Sequence, residues 1–499
     1  MQRADNPAAY PLWAGGALVV AVAAAYGLVS NPELLHVEFS PRSVAALVLA
    51  LAGAALLIRY PGAAVVVLVG LVYLNVSELL VRFHGLPSVI QAVALPLVAA
   101  AWIGQGTDRA RQAFAPTPLV LALVAYLLAL MVSTTWARTP DLADERLVEH
   151  AKALIVFFLI VLLVWSPAQA RRATWTVMAA GALLGAIVLF QSATGSYEST
   201  FGGLGRVKYA QIYGDVFRPR VAGPLGDPNF FAQIMVPVVA IALVVAGRAT
   251  VLRQRVMGLA CAALATAGIL LSYSRGALLA LFVVFLLAAV ALRISLRRVA
   301  LAAVLLLALL SAFNPAGAVR RLATIRELLP GGSEVLDRDS SFAERSLLMR
   351  TAWLMFLDRP LLGVGAGNYT AYFDDYADRA GSAFRQYEGI GDRRYPHNLY
   401  LEVASETGLV GLALFAAALA ACYAALHRAG QRYERAGDAS LVAITRGLQV
   451  ALAGYLVTAL FLHGQFPRHL WLLLGLALAV ERCSRDVLRE QPARVEPAA

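Results

Sequence analysis

One histidine and a few arginines carry the residue types that could run group-transfer chemistry. His397 lies in Tyr395-Pro396-His397-Asn398-Leu399-Tyr400-Leu401-Glu402, just before an apolar run. Pro396 suits a helix start, which would put His397 at a helix N-terminus. The positive end of the helix dipole disfavours imidazolium there. A neutral imidazole accepts a proton, as a general base must. The plainer alternative is a histidine that caps or hydrogen-bonds a loop. Arg218 and Arg220 lie in Phe217-Arg218-Pro219-Arg220-Val221-Ala222-Gly223, Arg275 in Tyr273-Ser274-Arg275-Gly276, and Arg345 in an amphipathic stretch. Guanidinium grips phosphate oxygens in a bidentate fork, so arginines gathered from separate segments suit a pyrophosphate. Salt bridges to Asp and Glu, or lipid headgroups, are the competing use.

Other charged groups are less pointed. Lys152 begins an apolar run, where it can snorkel to an interface or touch a phosphate. Glu402 and Glu406, one helical turn apart, can orient His397 or pair with an arginine. Asp374, Asp375 and Asp378 look like a metal cluster but alternate with an aromatic stripe, and read better as its solvated face. Gly363-Val364-Gly365-Ala366-Gly367 resembles a dinucleotide fingerprint, yet no clear strand precedes it; a glycine-rich helix stop is the better reading. Cys261 and Cys422 sit in apolar runs and Cys483 in a basic tail, so no disulfide is expected.

The elements that must position these groups are membrane spans. The chain has 499 residues, 60% hydrophobic and only 15% charged, where soluble domains carry about 25% charged residues. Apolar runs long enough to cross a bilayer recur along it. They fall near 12–29, 43–58, 61–77, 87–103, 117–135, 151–165, 173–192, 230–247, 255–273, 276–293, 297–313, 408–426, 443–462 and 466–481. The fold expected is an all-α polytopic membrane protein of about 12–14 transmembrane helices with a large helical periplasmic loop. The net charge of +11 reads as topology-setting rather than as a nucleic-acid signal. Arg109 and Arg111, Arg171 and Arg172, Arg248 to Arg255, Arg293 to Arg298, and Arg428 to Arg446 occupy alternate loops on one side. That side should be the cytoplasm.

The division expected is N-terminal spans over 1–192, a periplasmic loop over 193–229, spans over 230–313, the large loop over 314–407, and C-terminal spans with a tail over 408–499. Long unstructured loops are uncommon unless functional. The larger one reads as helical: Ser341 to Asp358 with Phe342, Met349, Trp353 and Phe356 roughly on one side, then Tyr369, Tyr372, Phe373 and Tyr376 at helical spacing. These stripes pack on the membrane surface or the spans, or stack on sugar rings.

Four stretches in order resemble the O-antigen ligase and polymerase superfamily. They are Arg220-Val221-Ala222-Gly223 with Asp227-Pro228-Asn229; Tyr273-Ser274-Arg275-Gly276; Arg345 followed by Pro360-Leu361-Leu362-Gly363-Val364-Gly365; and Pro396-His397-Asn398 with Glu402 and Gly408-Leu409-Val410-Gly411. Before Gly195 the likeness is mainly hydropathy, plus Trp136 and Lys152. The resemblance implies a metal-independent glycosyltransferase of the bacterial inner membrane, without cofactor, whose site faces the periplasm. Its donor would be an undecaprenyl-pyrophosphate-linked glycan and its acceptor a sugar hydroxyl of lipid A–core. His397 would be the base; Arg220, Arg275, Arg345, Lys152 and Arg218 would hold the pyrophosphate; Asn398 and Glu402 would support. An O-antigen polymerase and a protein O-oligosaccharyltransferase share these motifs. A transporter is the reading from another class, though paired repeats and midplane charges are not evident.

Overall fold

A computed structural model describes residues 60–85, 115–213, 216–295, 297, 340–380, 394–464 and 467–490. The expected runs 12–29, 43–58, 87–103 and 297–313 lie outside these residues or almost wholly so; every other run falls mainly in helix, with 61–77 crossing the break between two helices and 443–462 running past a helix end. The helices are α1 (Pro61–Tyr73), α2 (Val76–His84), α3 (Pro118–Ser133), α4 (Pro140–Leu163), α5 (Pro167–Thr194), α6 (Pro228–Arg248), α7 (Leu252–Ser272), α8 (Arg275–Ala291), α9 (Ser340–Asp358), α10 (Tyr369–Ala380), α11 (Leu399–Ala436), α12 (Ala439–Thr458) and α13 (Pro467–Glu490). Among the described residues six helices are long and apolar enough to cross a membrane, or seven if the pair α1–α2, bent by 57°, counts as one span. The chain is an all-α polytopic membrane protein.

Local chemistry starts several of these helices. Thr117, Ser166 and Asp227 each precede a proline, and each side chain accepts a backbone N–H of the first turn. Such a residue satisfies an orphan donor while the proline pre-sets the helical φ. α6 sits at the centre, with 89% of its apolar window buried. It packs against α7, α8 and α12, while α1, α3, α4, α5, α11 and α13 complete the bundle.

The described basic loops meet at one end. Arg171 of α5 pairs with Asp438 before α12 at 2.5 Å, and Arg432 pairs with Glu481 at 2.7 Å. Arg248 donates to Ala291 O, joining the α6 and α8 termini. The polar segments gather at the opposite end. There α2 lies across the bundle, its Glu78 facing Arg468.

Residues 193–229 depart from the all-α expectation. They hold an antiparallel hairpin of β1 (Val207–Tyr213) and β2 (Val216–Val221), with Lys208 opposite Arg220 and Ala210 opposite Arg218. Val, Ile and Tyr on a pleated strand, with only Gly214 and Asp215 between the strands in sequence, favour this pairing.

The large loop forms the two expected helices, α9 and α10. Tyr369, Tyr372, Phe373 and Tyr376 are buried against Leu348, Ala352, Met355 and Val364. They therefore build a satellite core and leave no free faces for sugar. On α9 the buried face runs through Leu348, Thr351, Ala352 and Met355, whereas Trp353 is 48% exposed. Of the face read from sequence, Trp353 thus points outward, while Met349 and Phe356 are half-buried. With exposed Leu357, Leu361, Leu362, Leu409 and Val410 Trp353 matches the apolar margin of a membrane-facing surface.

The glycine-rich segment is more than a helix stop. α11 breaks at Gly408 (φ 65°, ψ −162°). Residues 360–365 lie along the break: Leu409 N donates to Pro360 O, Val364 N to Ser405 O and Gly365 N to Glu406 O, at 2.7–2.9 Å. These bonds satisfy backbone groups freed by the break, as burial demands. A Cβ on Gly363 would sit 2.4 Å from Glu406 C, and one on Gly408 2.3 Å from Leu361 C, so only glycine permits the contact.

Candidate active site

At the end of the bundle opposite the basic loops, segments from across the chain converge beside His397: β1–β2, the start of α6, the α7–α8 turn, the start of α9, the approach to α11 and the α12–α13 connection. A narrow cleft with room for little more than a water molecule lies among them, lined by Asn229, Ser274, Gly276, Arg345, Thr458 and Phe461.

His397 sits two residues before Leu399, with Asn398 as the N-cap of α11, slightly earlier than the proline suggested. Its backbone is left-handed, φ 49°. That region is uncommon outside glycine, and such strain gathers at functional sites. Burial is the main reason its imidazole is pulled down to about 4, and the nearby Arg345 and Lys208 cations push the same way; Asp227 opposes them. The ring is therefore neutral near pH 7. Its Nδ1 is buried and makes no hydrogen bond among the described residues.

The arginines fall into distinct places. Arg220 Nε donates to Ser272 O at 2.9 Å and its Nη2 to Asn229 Oδ1 at 3.2 Å. It thereby ties β2 to the α7–α8 turn and to the start of α6. Arg345 lines the cleft directly. Arg275 is the exposed first residue of α8, between Ser274 and Gly276, which both line it. The N-termini of α6 and α8 supply Asn229 and Ser274 to the cleft, and helix N-termini favour anions.

Three other expected residues lie elsewhere. Arg218 is exposed and lines a neighbouring pocket. Lys152 pairs with Glu149 at 3.0 Å on a 40% exposed side chain and is not among the cleft's lining. Glu402 turns away from His397: it pairs with buried Arg146 at 2.5 Å and accepts Gly464 N at 2.6 Å. Asn398 accepts Leu401 N and donates to Leu460 O. Glu402 and Asn398 thus fasten the α12–α13 connection beside the site. Asp374 and Asp375 face Arg394 and Arg138. Among the described residues no group of His, Cys, Asp and Glu is placed to hold a metal.

Sequence reasoning missed His463, Lys208 and Arg146. The His463 ring stacks on Tyr395 at 4.3 Å and stands edge-on to His397 at 5.3 Å. Its only advance signal was its place between two apolar runs, on the same side as His397. Lys208 was marked by nothing until the hairpin register placed it opposite Arg220. Arg146 was hidden because the apolar run begins after it, while α4 begins at Pro140.

Residues 259–416 match the family model described as O-antigen ligase. Over that segment the chain is similar to the O-antigen ligase family. The matched segment runs from α7 into α11 and contains Arg275, Arg345 and His397. An O-antigen ligase or polymerase type of function goes with this family. No curated protein matches the chain.

Proposed function

We propose that the protein is the ligase: it transfers O-antigen polysaccharide from undecaprenyl pyrophosphate to a sugar hydroxyl of lipid A–core, at the periplasmic face of the inner membrane. The observation that carries this reading is a neutral, half-buried His397 beside a cleft lined by Arg345 and flanked by Arg220 and Arg275. The gathering of basic loops at the far end of the bundle supports a periplasmic site.

The chemistry follows from those groups. His397 takes the proton of the acceptor hydroxyl as its oxygen attacks the anomeric carbon. The bond from that carbon to the pyrophosphate breaks, and undecaprenyl pyrophosphate leaves with the electron pair. Arg345, Arg275 and Arg220 hold the phosphates and offset the charge that grows on the bridging oxygen. Attack opposite the leaving group inverts the anomeric centre. Ala277, Phe461 and Leu462 give the cleft an apolar wall, suited to the first prenyl units. Glu402 and Asn398 act as positioning residues through the His463 connection.

The test is transfer by the purified, reconstituted protein, given undecaprenyl-pyrophosphate glycan with and without lipid A–core. Product that needs lipid A–core supports the ligase. Lengthened glycan without it would mean a polymerase, and transfer to a protein alone an oligosaccharyltransferase.

A further inference from the structure

A second pocket opens on the other side of the α7–α8 turn. Its cavity volume is about 270 Å³, with Ser192, Tyr197, Arg218 and Tyr273 lining it beside Pro219, Val221 and Leu271. Tyr273 and Ser274 are consecutive, and one faces each cavity. Arg218 and Arg220 are two residues apart on β2, yet Arg220 is held against Ser272 and Asn229 while Arg218 is exposed. The two cavities are therefore neighbours with different linings. The cleft beside His397 has an apolar wall, as a prenyl pyrophosphate requires. The second pocket sets two phenol rings, a hydroxyl and a guanidinium beside the apolar Pro219, Val221 and Leu271, around a larger space.

That lining fits a charged sugar. Tyrosine offers an apolar ring face and a polar tip, which match the C–H face and hydroxyls of a pyranose. The guanidinium offers a fork for a phosphate or carboxylate. The position, at the outer ends of α5 and α7, is where a saccharide on a membrane-anchored lipid would lie.

We infer that this pocket is a subsite for an anionic saccharide, phosphorylated or carboxylated, that flanks the reacting sugars, with Arg218 as its charge partner and Tyr197 and Tyr273 as its platform. The inference rests on the transferase reading above. Two substrates can supply such a group: the core of the acceptor, or the first sugars of the donor glycan. In either case the pocket decides which substrates are accepted and takes no part in bond breaking.

The experiment compares the full-length wild type with Arg218→Ala and Tyr197→Ala in reconstituted transfer. Lipid A–core is supplied with its core phosphates intact or enzymatically removed, and donors carry neutral or acidic first sugars. Losing one charge-assisted contact should raise the KM of the anionic substrate about tenfold, with kcat within about twofold. The neutral substrate should show the same KM in Arg218→Ala as in wild type. A rise confined to the acceptor assigns the core, and one confined to the donor assigns the glycan. An unchanged KM for every substrate, or an equal rise for charged and neutral ones, overturns the subsite. Binding read without turnover keeps this apart from the transferase reading. Native mass spectrometry of nanodisc-held protein should show weaker retention of phosphorylated lipid A–core, or of the acidic donor, in Arg218→Ala. If wild type fails to transfer but retains the anionic ligand through Arg218, only the transferase reading falls.

Discussion

Replacing Arg146 with Met should damage the protein through groups that never meet the substrate. The Arg146 and Glu402 side chains are 12% and 4% exposed and lie 2.5 Å apart, with Glu406 at 3.9 Å. Removing the cation leaves two carboxylates buried one helical turn apart. Breaking a buried pair from one side costs about 3–5 kcal/mol, because the remaining charge has no partner. At roughly 2–4 °C per kcal/mol, melting of the detergent-solubilised protein should fall by on the order of 10 °C. Glu402→Gln added to Arg146→Met removes one orphaned carboxylate, so the double variant should recover a substantial part of that loss. Glu402 also accepts Gly464 N, next to His463, so transfer by Arg146→Met should drop even at temperatures where it stays folded. Melting within about 1 kcal/mol of wild type, or a double variant showing the plain sum of the singles, would refute the buried-pair argument.

Four further outcomes are expected. A base that works only when neutral, with its imidazole held near 4, keeps kcat/KM level from about pH 7 down to about 5 and brings it to half near pH 4; Arg345→Met removes a cation that opposes protonation, so the acid limb moves to higher pH, as a pH–rate profile will read. Arg345→Lys keeps the charge and loses the fork, and should raise the donor KM about tenfold in steady-state transfer. Gly408→Ala should cost at least about 2 kcal/mol, since the glycine-only backbone and the contact with Leu361 both forbid a Cβ; unaltered melting would contradict the packing of residues 360–365 along the break in α11. Reporter fusions near residue 350 should read as periplasmic and those near residue 437 as cytoplasmic, and the reverse would overturn the assigned face.

Much of the frame was legible because bilayers impose long apolar helices with basic loops on one side. The apolar runs that fall well inside the described residues became mainly helix, though 61–77 broke into α1 and α2, and His397 and the arginines of β2, α8 and α9 came to one end. What sequence hid was tertiary. Glu402 met Arg146 rather than His397 because α4 extends a further turn or more beyond its apolar run, a length that hydropathy does not report. The hairpin was overlooked because Val207–Val221 was read as a polar loop, although its alternation and the Gly214-Asp215 pair were there to see. α9 turned Leu348, Thr351, Ala352 and Met355 inward and left Trp353 exposed, because the face that packs on α10 is set by the tertiary fold and not by its own periodicity. His463 lay in a connection too short to stand out, and only the fold set its ring against Tyr395 and His397.

The central claim is that His397 removes the acceptor proton while others bind the donor. The direct test is His397→Ala beside wild type in reconstituted membranes, with turnover and donor binding read on the same preparation. The account predicts that turnover falls by about 100- to 10,000-fold while donor affinity stays within a few-fold. Turnover within tenfold of wild type would contradict a base at His397, and so would a loss explained wholly by failure to bind donor.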